Sequence, residues 1–424
     1  MESKVPSRRR FLGTTLAAGV AGPNLLLGQA KGANSRLRVG VMGLSRGRGH
    51  IKAYLDVPNT EVAYLCDVDE NRLVTGASTM KGKQEKEPQK VTDFRRILDD
   101  PDIDAISIAT PNFWHTPAAI AACRAGKHVY VEKPGSYDAH EAETIVRIGK
   151  ETNRQIQMGT QRRSYPAMIE GIQKLREGAI GKLRYARCFY ASERATIGKG
   201  KITAPPAELD WLMWQGPVPE APYKDNLVHY NWHWHWLYGG GELANNGVHG
   251  IDLARWAMDL DSYPERVTCN GGRYHFDDDQ ETPDTSYATY DYGDIGISWE
   301  GSSCHRRKPE KLPFVSIYGD GGKMDFSSSN YTIYDKDGKE VSKNTDPPSD
   351  IPHFTNFANA IRDGEALNQS IESGSRSATL CHLGNIAYRT TGSVNVDPKN
   401  GHLIDNPEGQ KLWGRPAYRE GWEV

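Results

Sequence analysis

The sequence lacks an excess of charge of either sign. Its 424 residues carry 52 Lys and Arg against 54 Asp and Glu, which gives a formal net charge of −2. Proteins that attract nucleic acid or an anionic membrane surface need a basic patch or stripe, and this balance indicates neither. We therefore expect a small-molecule ligand and no nucleic-acid partner.

Cysteine is scarce, and no C-x-x-C pair is present. The six cysteines are scattered, at positions 66, 123, 188, 269, 304 and 381. Such spacing predicts neither a zinc site nor a disulfide framework, so we expect no bound metal and mostly buried, apolar thiols. At 38% hydrophobic and 25% charged residues, the chain has the composition of a globular protein with room for two domains.

The N-terminal apolar run, "FLGTTLAAGVAGPNLLLGQA", is short for a membrane span and is interrupted by Pro23. It follows "SRRRFLG", in which Arg8 and Arg9 resemble the pair of a twin-arginine signal. The sequence predicts that residues 1–30 are an export signal, so that the mature protein is periplasmic or otherwise exported by that route and not inserted in the membrane. A cytoplasmic basic tail followed by an apolar helix is the alternative.

From Arg36 onward, strand-like and helix-like segments alternate. The apolar runs "RLRVGVMGL", "EVAYLCDVD", "DAISIATP" and "KHVYVEKP" have strand length, and helical periodicity lies between them. This alternation predicts an α/β fold, with a doubly wound parallel sheet of Rossmann type over residues 36–160.

The alternation stops near "RQIQMGTQRR". After the helical segment "YPAMIEGIQKLREGAIG" come longer strand candidates with Gly, Asp and Asn turns, such as "KLRYARCFYASE" and "TSYATYDYGDIGISWEG". We predict a second domain over residues 161–424, of α+β type with an open, largely antiparallel sheet.

A glycine-rich loop follows the first strand candidate and contains Gly40, Gly43, Gly47 and Gly49. Glycine permits a tight turn and close backbone approach to a pyrophosphate, whose charge a helix N-terminus meets. Ser45 takes the place of one glycine in the G-x-G-x-x-G pattern. The loop alone therefore also fits an ordinary strand-to-helix turn.

Asp67 ends the second strand candidate, 24 positions after Gly43. An acid near this spacing accepts hydrogen bonds from a ribose diol and repels a 2′-phosphate, which predicts NAD, with NADP the less favoured cofactor. The alternative is that Asp67 is the N-cap of a helix in "DVDENRL". Arg46 or Arg48 would weaken the preference for NAD over NADP, because a positive charge there would bind the 2′-phosphate of NADP.

"YVEKPGS" places Glu132, Lys133 and Pro134 at the carboxyl end of the strand candidate "KHVYVEKP". Doubly wound sheets bind ligands at that edge. A lysine there holds a nicotinamide ribose and a substrate hydroxyl together. The alternative is a surface Lys–Glu pair before a turn that proline begins.

"GGGELANNGVHGIDLARWAMD" places His249 near the start of a helix. An imidazole, with an ordinary pKa of ~6.5, takes and returns a proton near neutral pH. Asn245 lies one turn earlier, and Asp252 is placed to orient the ring. A single helical histidine is otherwise more often structural.

Five segments together carry a family resemblance: "VGVMGLSRGRGH", "LCDVDENRL", "ATPNFWHTPAAIAACRAGKHVYVEKP", "GTQRR" and "GGGELANNGVHGIDLARW". They resemble the glucose–fructose oxidoreductase, inositol dehydrogenase and MocA family, from about residue 36 to the C-terminal "ATLCHLGNIAYR". The resemblance implies an N-terminal Rossmann domain and a nicotinamide cofactor bound between two domains. It also implies a C-terminal sheet that often serves in oligomer contacts, and hence a homo-oligomer.

By position, the resemblance implies two catalytic residues. Lys133 matches the family lysine of the "EKP" motif, and His249 matches the histidine that commonly acts as acid and base. Asn245 stands where many inositol dehydrogenase-like members have aspartate, and we expect this uncharged amide to bind a sugar hydroxyl. The cofactor-binding residues so implied are Gly43, Ser45, Arg46, Gly47, Asp67, Thr110, Pro111, Asn112, His115, Glu132 and Lys133.

Tryptophan and histidine concentrate in "WLMWQGPVP" and "HYNWHWHWLYGGG". Aromatic faces pack against the C–H faces of sugars, although these tryptophans also fit a core role. A metal site is disfavoured, because no carboxylate or further histidine completes a ligand set. The expected substrate-binding residues are Arg163, Trp214, Asn231, His233, Asn245 and His249.

These features predict an NAD(P)-dependent oxidoreductase that acts on a secondary alcohol of a sugar, glycoside or polyol with a tightly bound nicotinamide. A twin-arginine route would export the folded, loaded protein. One alternative is a redox glycoside hydrolase that oxidises carbon 3 transiently, eliminates the aglycone, adds water and returns the hydride. Another is a dinucleotide-binding sensor without turnover.

Overall fold

The computed structural model describes residues 36–307 and 310–424, so the predicted export signal, residues 1–30, lies outside the described residues. Six strands form the N-terminal sheet: β1 Leu37–Met42, β2 Thr60–Cys66, β3 Gln89–Val91, β4 Ala105–Ile108, β5 His128–Glu132 and β6 Ile156–Gly159. All neighbours are parallel, in the order β3-β2-β1-β4-β5-β6. The predicted doubly wound parallel sheet is confirmed.

Helices cover both faces of this sheet. They are α1 Gly47–Asp56, α2 Glu70–Met80, α3 Arg95–Leu98, α4 Asn112–Arg124 and α5 Ala139–Thr152. Strand β4 is buried along its whole length, as expected of a central parallel strand. The strand order reverses between β1 and β4, which opens a crevice at the carboxyl ends of the strands.

The second sheet has ten strands: β7 Leu183–Ala191, β8 Arg266–Gly272, β9 Thr285–Asp291, β10 Gly296–Ser302, β11 Val315–Gly319, β12 Gly322–Ser327, β13 Asn330–Asp335, β14 Glu340–Thr345, β15 Ser393–Val396 and β16 Leu403–Ile404. Their order is β14-β13-β12-β11-β7-β10-β9-β8-β15-β16. Only the β7–β10 pairing is parallel among these described strands. The expected largely antiparallel sheet is therefore confirmed.

The helices after residue 160 are α6 Pro166–Arg176, α7 Trp211–Gln215, α8 Val248–Ala257, α9 Ile351–Asp363, α10 Ile371–Arg389 and α11 Pro407–Gln410. A π-helical turn, Leu243–Gly247, leads directly into α8. Helix α10 packs on α8 and β8 within its own domain and also on α5 of the first domain. This helix therefore holds the two domains against each other.

All six cysteines are buried and free. Among the described residues, no helix is long and apolar enough to cross a membrane.

The C-terminal tail returns to the first domain through a buried ion pair. Arg415 contacts Glu141 on α5, and their side chains are 4% and 0% exposed. Tyr418 donates a hydrogen bond of 3.0 Å to the same carboxylate. A fully buried carboxylate is costly unless its charge is compensated, so this contact fixes the tail on α5.

Replacing Arg415 by methionine should lower the free energy of unfolding by about 3 kcal/mol, because Glu141 would be left buried without its cation. Lys411→Met is the matched control, since Lys411 and its partner Glu408 are both exposed; we expect a change below about 0.5 kcal/mol. Urea denaturation followed by circular dichroism measures both. Equal losses in the two variants would contradict the role given to the buried pair.

Candidate active site

A cavity of about 480 Å³ lies where the two domains meet, at the carboxyl ends of the N-terminal strands. Loops after β1, β2, β4 and β5 form one wall, and the segment before α8 forms the other. Most of the predicted site residues line it: Gly43, Ser45, Arg46, Asp67, Thr110, Pro111, Asn112, His115, Glu132, Lys133, Trp214, His233, Asn245 and His249.

The loop after β1 requires glycine at its first position. Gly43 has a φ of +85°, and a Cβ there would lie 2.7 Å from the carbonyl oxygen of Ala109. Gly47 is the first residue of α1 and is not among the residues that line the cavity. The loop thus brings its backbone and the N-terminus of α1 to the cavity, where a pyrophosphate is favoured.

Asp67 directly follows β2 and accepts two backbone hydrogen bonds, from Leu44 N at 2.6 Å and from Asp69 N at 3.1 Å. The N-cap of α2 is Asp69, whose side chain accepts from Arg72 N, so the capping alternative for Asp67 is wrong. Burial raises the pKa of Asp67 to about 6. The carboxylate lies where a Rossmann domain binds a ribose diol.

Glu132, the last residue of β5, is a buried hydrogen-bond acceptor for three side chains. Its Oε1 accepts from His50 Nε2 at 3.0 Å, Arg46 Nε at 3.0 Å and Gln161 Nε2 at 3.1 Å. Burial by itself would raise the pKa of Glu132, but the hydrogen bond from His50 and the charge of Arg46 hold it well below its ordinary value. Arg46 also pairs with Asp350 at 2.8 Å, so both ends of its guanidinium are already engaged by carboxylates.

Lys133 crosses the cavity to the second domain. Its Nζ donates to the backbone oxygen and to Oδ1 of Asn245, both at 2.8 Å. An ammonium group has three donors, so one is left for a ligand. Burial lowers the pKa of Lys133, and the charges of Glu132 and Glu242 partly oppose that shift.

His249 is the second residue of α8 and faces the same end of the cavity. Its Nδ1 is buried without a hydrogen-bond partner. Burial, and then the nearby charge of Lys133, hold the pKa of His249 well below its ordinary range. The imidazole is therefore neutral at neutral pH and able to accept a proton.

One expectation about a side-chain partner was wrong, and two residues expected to bind substrate lie outside the cavity lining. Asp252 does not orient His249; it forms a two-point ion pair with Arg163, with both N–O distances at 2.9 Å. The buried Asp252 carboxylate needs this cation, which keeps Arg163 away from the cavity. Asn231 is also outside the cavity lining, because its amide donates to the backbone oxygen of Asn226 at 2.8 Å.

Two further polar atoms at the cavity wall lack partners within the protein. His115 Nε2 donates to the carbonyl oxygen of Thr110 at 2.9 Å, which leaves Nδ1 as a buried acceptor with nothing to accept from. The hydroxyl of Thr110 is likewise buried and unpartnered. Such groups are costly unless a ligand supplies their hydrogen-bond partners, so this acceptor and this hydroxyl fit a bound dinucleotide.

Several cavity residues were not predicted: Arg72, Phe94, Gln161, Met213, His229 and Tyr230. Arg72 stands in "DENRL", five positions after the predicted acid Asp67, and Gln161 directly precedes the two arginines of "GTQRR". The aromatic segments divide between the two roles considered. Trp214 and Trp232 line the cavity, whereas Trp234 is buried in the core with the Arg194 guanidinium 4.0 Å from its ring centre.

Two family models match the chain. Residues 37–160 match "Oxidoreductase family, NAD-binding Rossmann fold", and residues 187–424 match "Oxidoreductase family, C-terminal alpha/beta domain". The chain belongs to the Gfo/Idh/MocA family of oxidoreductases, and its N-terminal domain binds NAD.

Curated relatives match only in part. The chain is 33% identical over 172 residues to a glycosyl hydrolase family 109 protein of Saccharopolyspora erythraea, covering 35% of this chain and 38% of that one. It is 30% identical over 167 residues to a levoglucosan dehydrogenase of Pseudarthrobacter phenanthrenivorans, covering 39% and 36%. The alignments thus span little more than a third of either relative.

The fold recurs in solved structures. The WlbA dehydrogenase from Bordetella pertussis, solved with NADH and UDP-GlcNAcA, superposes with a TM-score of 0.65 at 17% identity. The superposition covers 85% of this chain and 99% of that one. At this identity the likeness shows the fold alone.

The affinity for NAD should fall as the pH drops through about 6, where Asp67 takes up a proton. Its carboxylate accepts hydroxyl hydrogen bonds in the ionised form, which predominates above that pKa. We expect roughly tenfold weaker binding at about pH 5 than at about pH 7, measured by isothermal titration calorimetry. Asp67→Asn should bind weakly and without this pH dependence; an unchanged pH profile in that variant would exclude Asp67 as its source.

Proposed function

We propose that this enzyme oxidises a secondary alcohol of a sugar, glycoside or polyol by hydride transfer to tightly bound NAD. The observation that carries the proposal is the contact of Lys133 with Asn245 beside the neutral imidazole of His249. A cation with a free donor and a neutral base at one end of a dinucleotide cavity are the groups that alcohol oxidation needs.

The bound nicotinamide would supply the hydride acceptor. The residues that would hold the dinucleotide are the loop at Gly43, the carboxylate of Asp67 and the unpartnered atoms of Thr110 and His115. Lys133 donates its remaining N–H to the substrate hydroxyl and stabilises the negative charge that develops on that oxygen. His249 takes the hydroxyl proton.

The substrate end of the cavity favours a neutral polyol over a charged molecule. Apart from Lys133 and the buried Glu132, this part of the lining offers an amide, a phenol and neutral imidazoles, contributed by Asn245, Tyr230, His233 and His249. These groups both donate and accept hydrogen bonds, as sugar hydroxyls require. Trp232, whose ring lies against His233, adds an apolar surface that suits the C–H surface of a sugar ring.

Lys133→Ala and His249→Ala should each slow reduction of bound NAD by about 100-fold or more in a single turnover with saturating sugar, while NAD stays bound. Stopped-flow absorbance at the NADH band measures the step. Lys150→Ala and His140→Ala are matched controls, because both side chains are exposed and lie outside the cavity lining. A wild-type rate in Lys133→Ala or His249→Ala would remove that residue from the mechanism.

A second candidate activity is net glycoside hydrolysis, supported by the partial match to a glycosyl hydrolase family 109 protein. In that reaction, carbon 3 of the sugar loses hydride, carbon 2 loses a proton, and the C1–O bond breaks with its electron pair leaving on the aglycone. Water then adds across C1 and C2, and hydride returns to carbon 3. Release of aglycone without net NADH formation distinguishes this activity from net oxidation.

We also propose that the protein is exported by the twin-arginine route, on the strength of "SRRRFLG". Replacing Arg8 and Arg9 together by lysine should retain the protein in the cytoplasm, because that route depends on the arginine pair. Cell fractionation with immunoblotting measures the distribution. Normal periplasmic amounts of the double variant would show that the pair is not an export signal.

A further inference from the structure

A segment of the second domain lies across the first. We call residues 206–236 the strap; they fall within the match to the C-terminal family model. The strap is hydrogen-bonded to the start of α2: Glu70 N donates to the Glu208 oxygen at 3.0 Å, and Asp210 N donates to the Val68 oxygen at 2.9 Å. Its backbone therefore passes directly beside the end of β2.

The middle of the strap is held from two sides. On one side, Trp114 Nε1 donates to the backbone oxygen of Trp214 at 2.9 Å. Gly216 lies so close to that indole that a Cβ on it would fall 2.0 Å from the ring. On the other side, Arg419 of the C-terminal tail donates to the Leu212 oxygen at 2.8 Å.

The far end of the strap is attached through a histidine. His229 Nε2 lies 3.0 Å from Asp69 Oδ2. Burial and then the charge of Arg72 lower the pKa of His229, so its neutral ring donates this hydrogen bond at neutral pH. The other oxygen of Asp69 caps α2 through Arg72 N. The contact therefore joins the strap to the helix that follows the ribose-binding acid.

We propose that the strap is part of the cofactor site, covering the adenosine half of NAD and holding it through many turnovers. Adenosine lies at the end of a Rossmann site marked by the acid after β2, which here is Asp67. Both domains contribute to the walls there: Met213 and His229 of the strap line the cavity together with Asp67, Val68 and Arg72, and His229 contacts Asp69, two residues after Asp67. NAD cannot leave this end until the strap lifts.

This proposal rests on the NAD-dependent function proposed above and adds a constraint to it. If the reduced cofactor stays under the strap, its hydride must be passed on within the same site. The acceptor is then either a second carbonyl substrate or the oxidised sugar itself. The enzyme would not depend on a pool of free NAD.

The test is the rate at which bound NAD exchanges with free NAD. Enzyme loaded with radiolabelled NAD is diluted into excess unlabelled NAD, and bound label is followed by rapid filtration. Wild-type protein should retain its label through desalting, and His229→Phe should release it about two- to tenfold faster, the scale of one lost hydrogen bond. Asp69 is not substituted, since it also caps α2.

His402→Phe is the matched control. His402 also contacts a carboxylate across the two domains, Glu143 on α5, and both residues lie outside the cavity lining. His402→Phe should release NAD at the same rate as the wild type. Equal release from His229→Phe and wild type would overturn the proposal while leaving NAD binding intact. Failure of wild-type protein to bind NAD would overturn the proposed function itself.

A second measurement needs no variant. Hydrogen–deuterium exchange of cofactor-free wild-type protein should slow in peptides covering residues 206–236 when NAD is added, because a strap held over the ligand opens less often. Slowing confined to the loop at Gly43, with no change in the strap, would show that the strap is not part of the cofactor site.

Discussion

The buried carboxylate of Glu132 is the interaction on which the site depends. It ends β5 and accepts hydrogen bonds from Arg46 in the loop after β1, from His50 on α1 and from Gln161 at the domain junction. A buried carboxylate is tolerated only when such donors satisfy it. Because every donor comes from a different element, one side chain holds the loop, the first helix and the start of the second domain in register beside Lys133.

The active site exists only when the two domains are docked. Lys133 belongs to the first domain, whereas Asn245 and His249 belong to the π-turn and helix α8 of the second. The two hydrogen bonds between Lys133 and Asn245 place a cation next to an imidazole that burial keeps neutral. A substrate held there meets a positive donor and a proton acceptor in the same small volume, which is the arrangement that alcohol oxidation requires.

The strap encloses the end of the cavity that lies away from Lys133. There, residues of both domains enclose the position where adenosine is expected, and the C-terminal tail supports the strap from outside. In the function and the strap role proposed above, one end of the cavity would carry out the reaction and the other would retain the cofactor. This division suits an enzyme whose cofactor stays bound while sugars enter and leave.

Much of the N-terminal fold, and the location of several site residues, was determined by the sequence alone. Alternating apolar segments predicted the doubly wound sheet, and local motifs placed Gly43, Asp67, Lys133 and His249 at strand ends or a helix start. Such features are local, because strand and helix periodicity and turn glycine depend on neighbours in the chain. The local motifs left other roles open for Lys133 and His249, and only the family resemblance made these two residues the catalytic candidates.

Only the tertiary structure decided which side chains pair with which. The choice of Arg163 by Asp252 and the unpartnered nitrogen of His249 depend on residues distant in sequence. So does the strap: nothing in "HYNWHWHW" distinguishes His229, which reaches Asp69, from Trp234 in the core. Burial and ion pairing are set by long-range packing. A buried carboxylate needs a cation, and its partner is the cation that the fold places next to it.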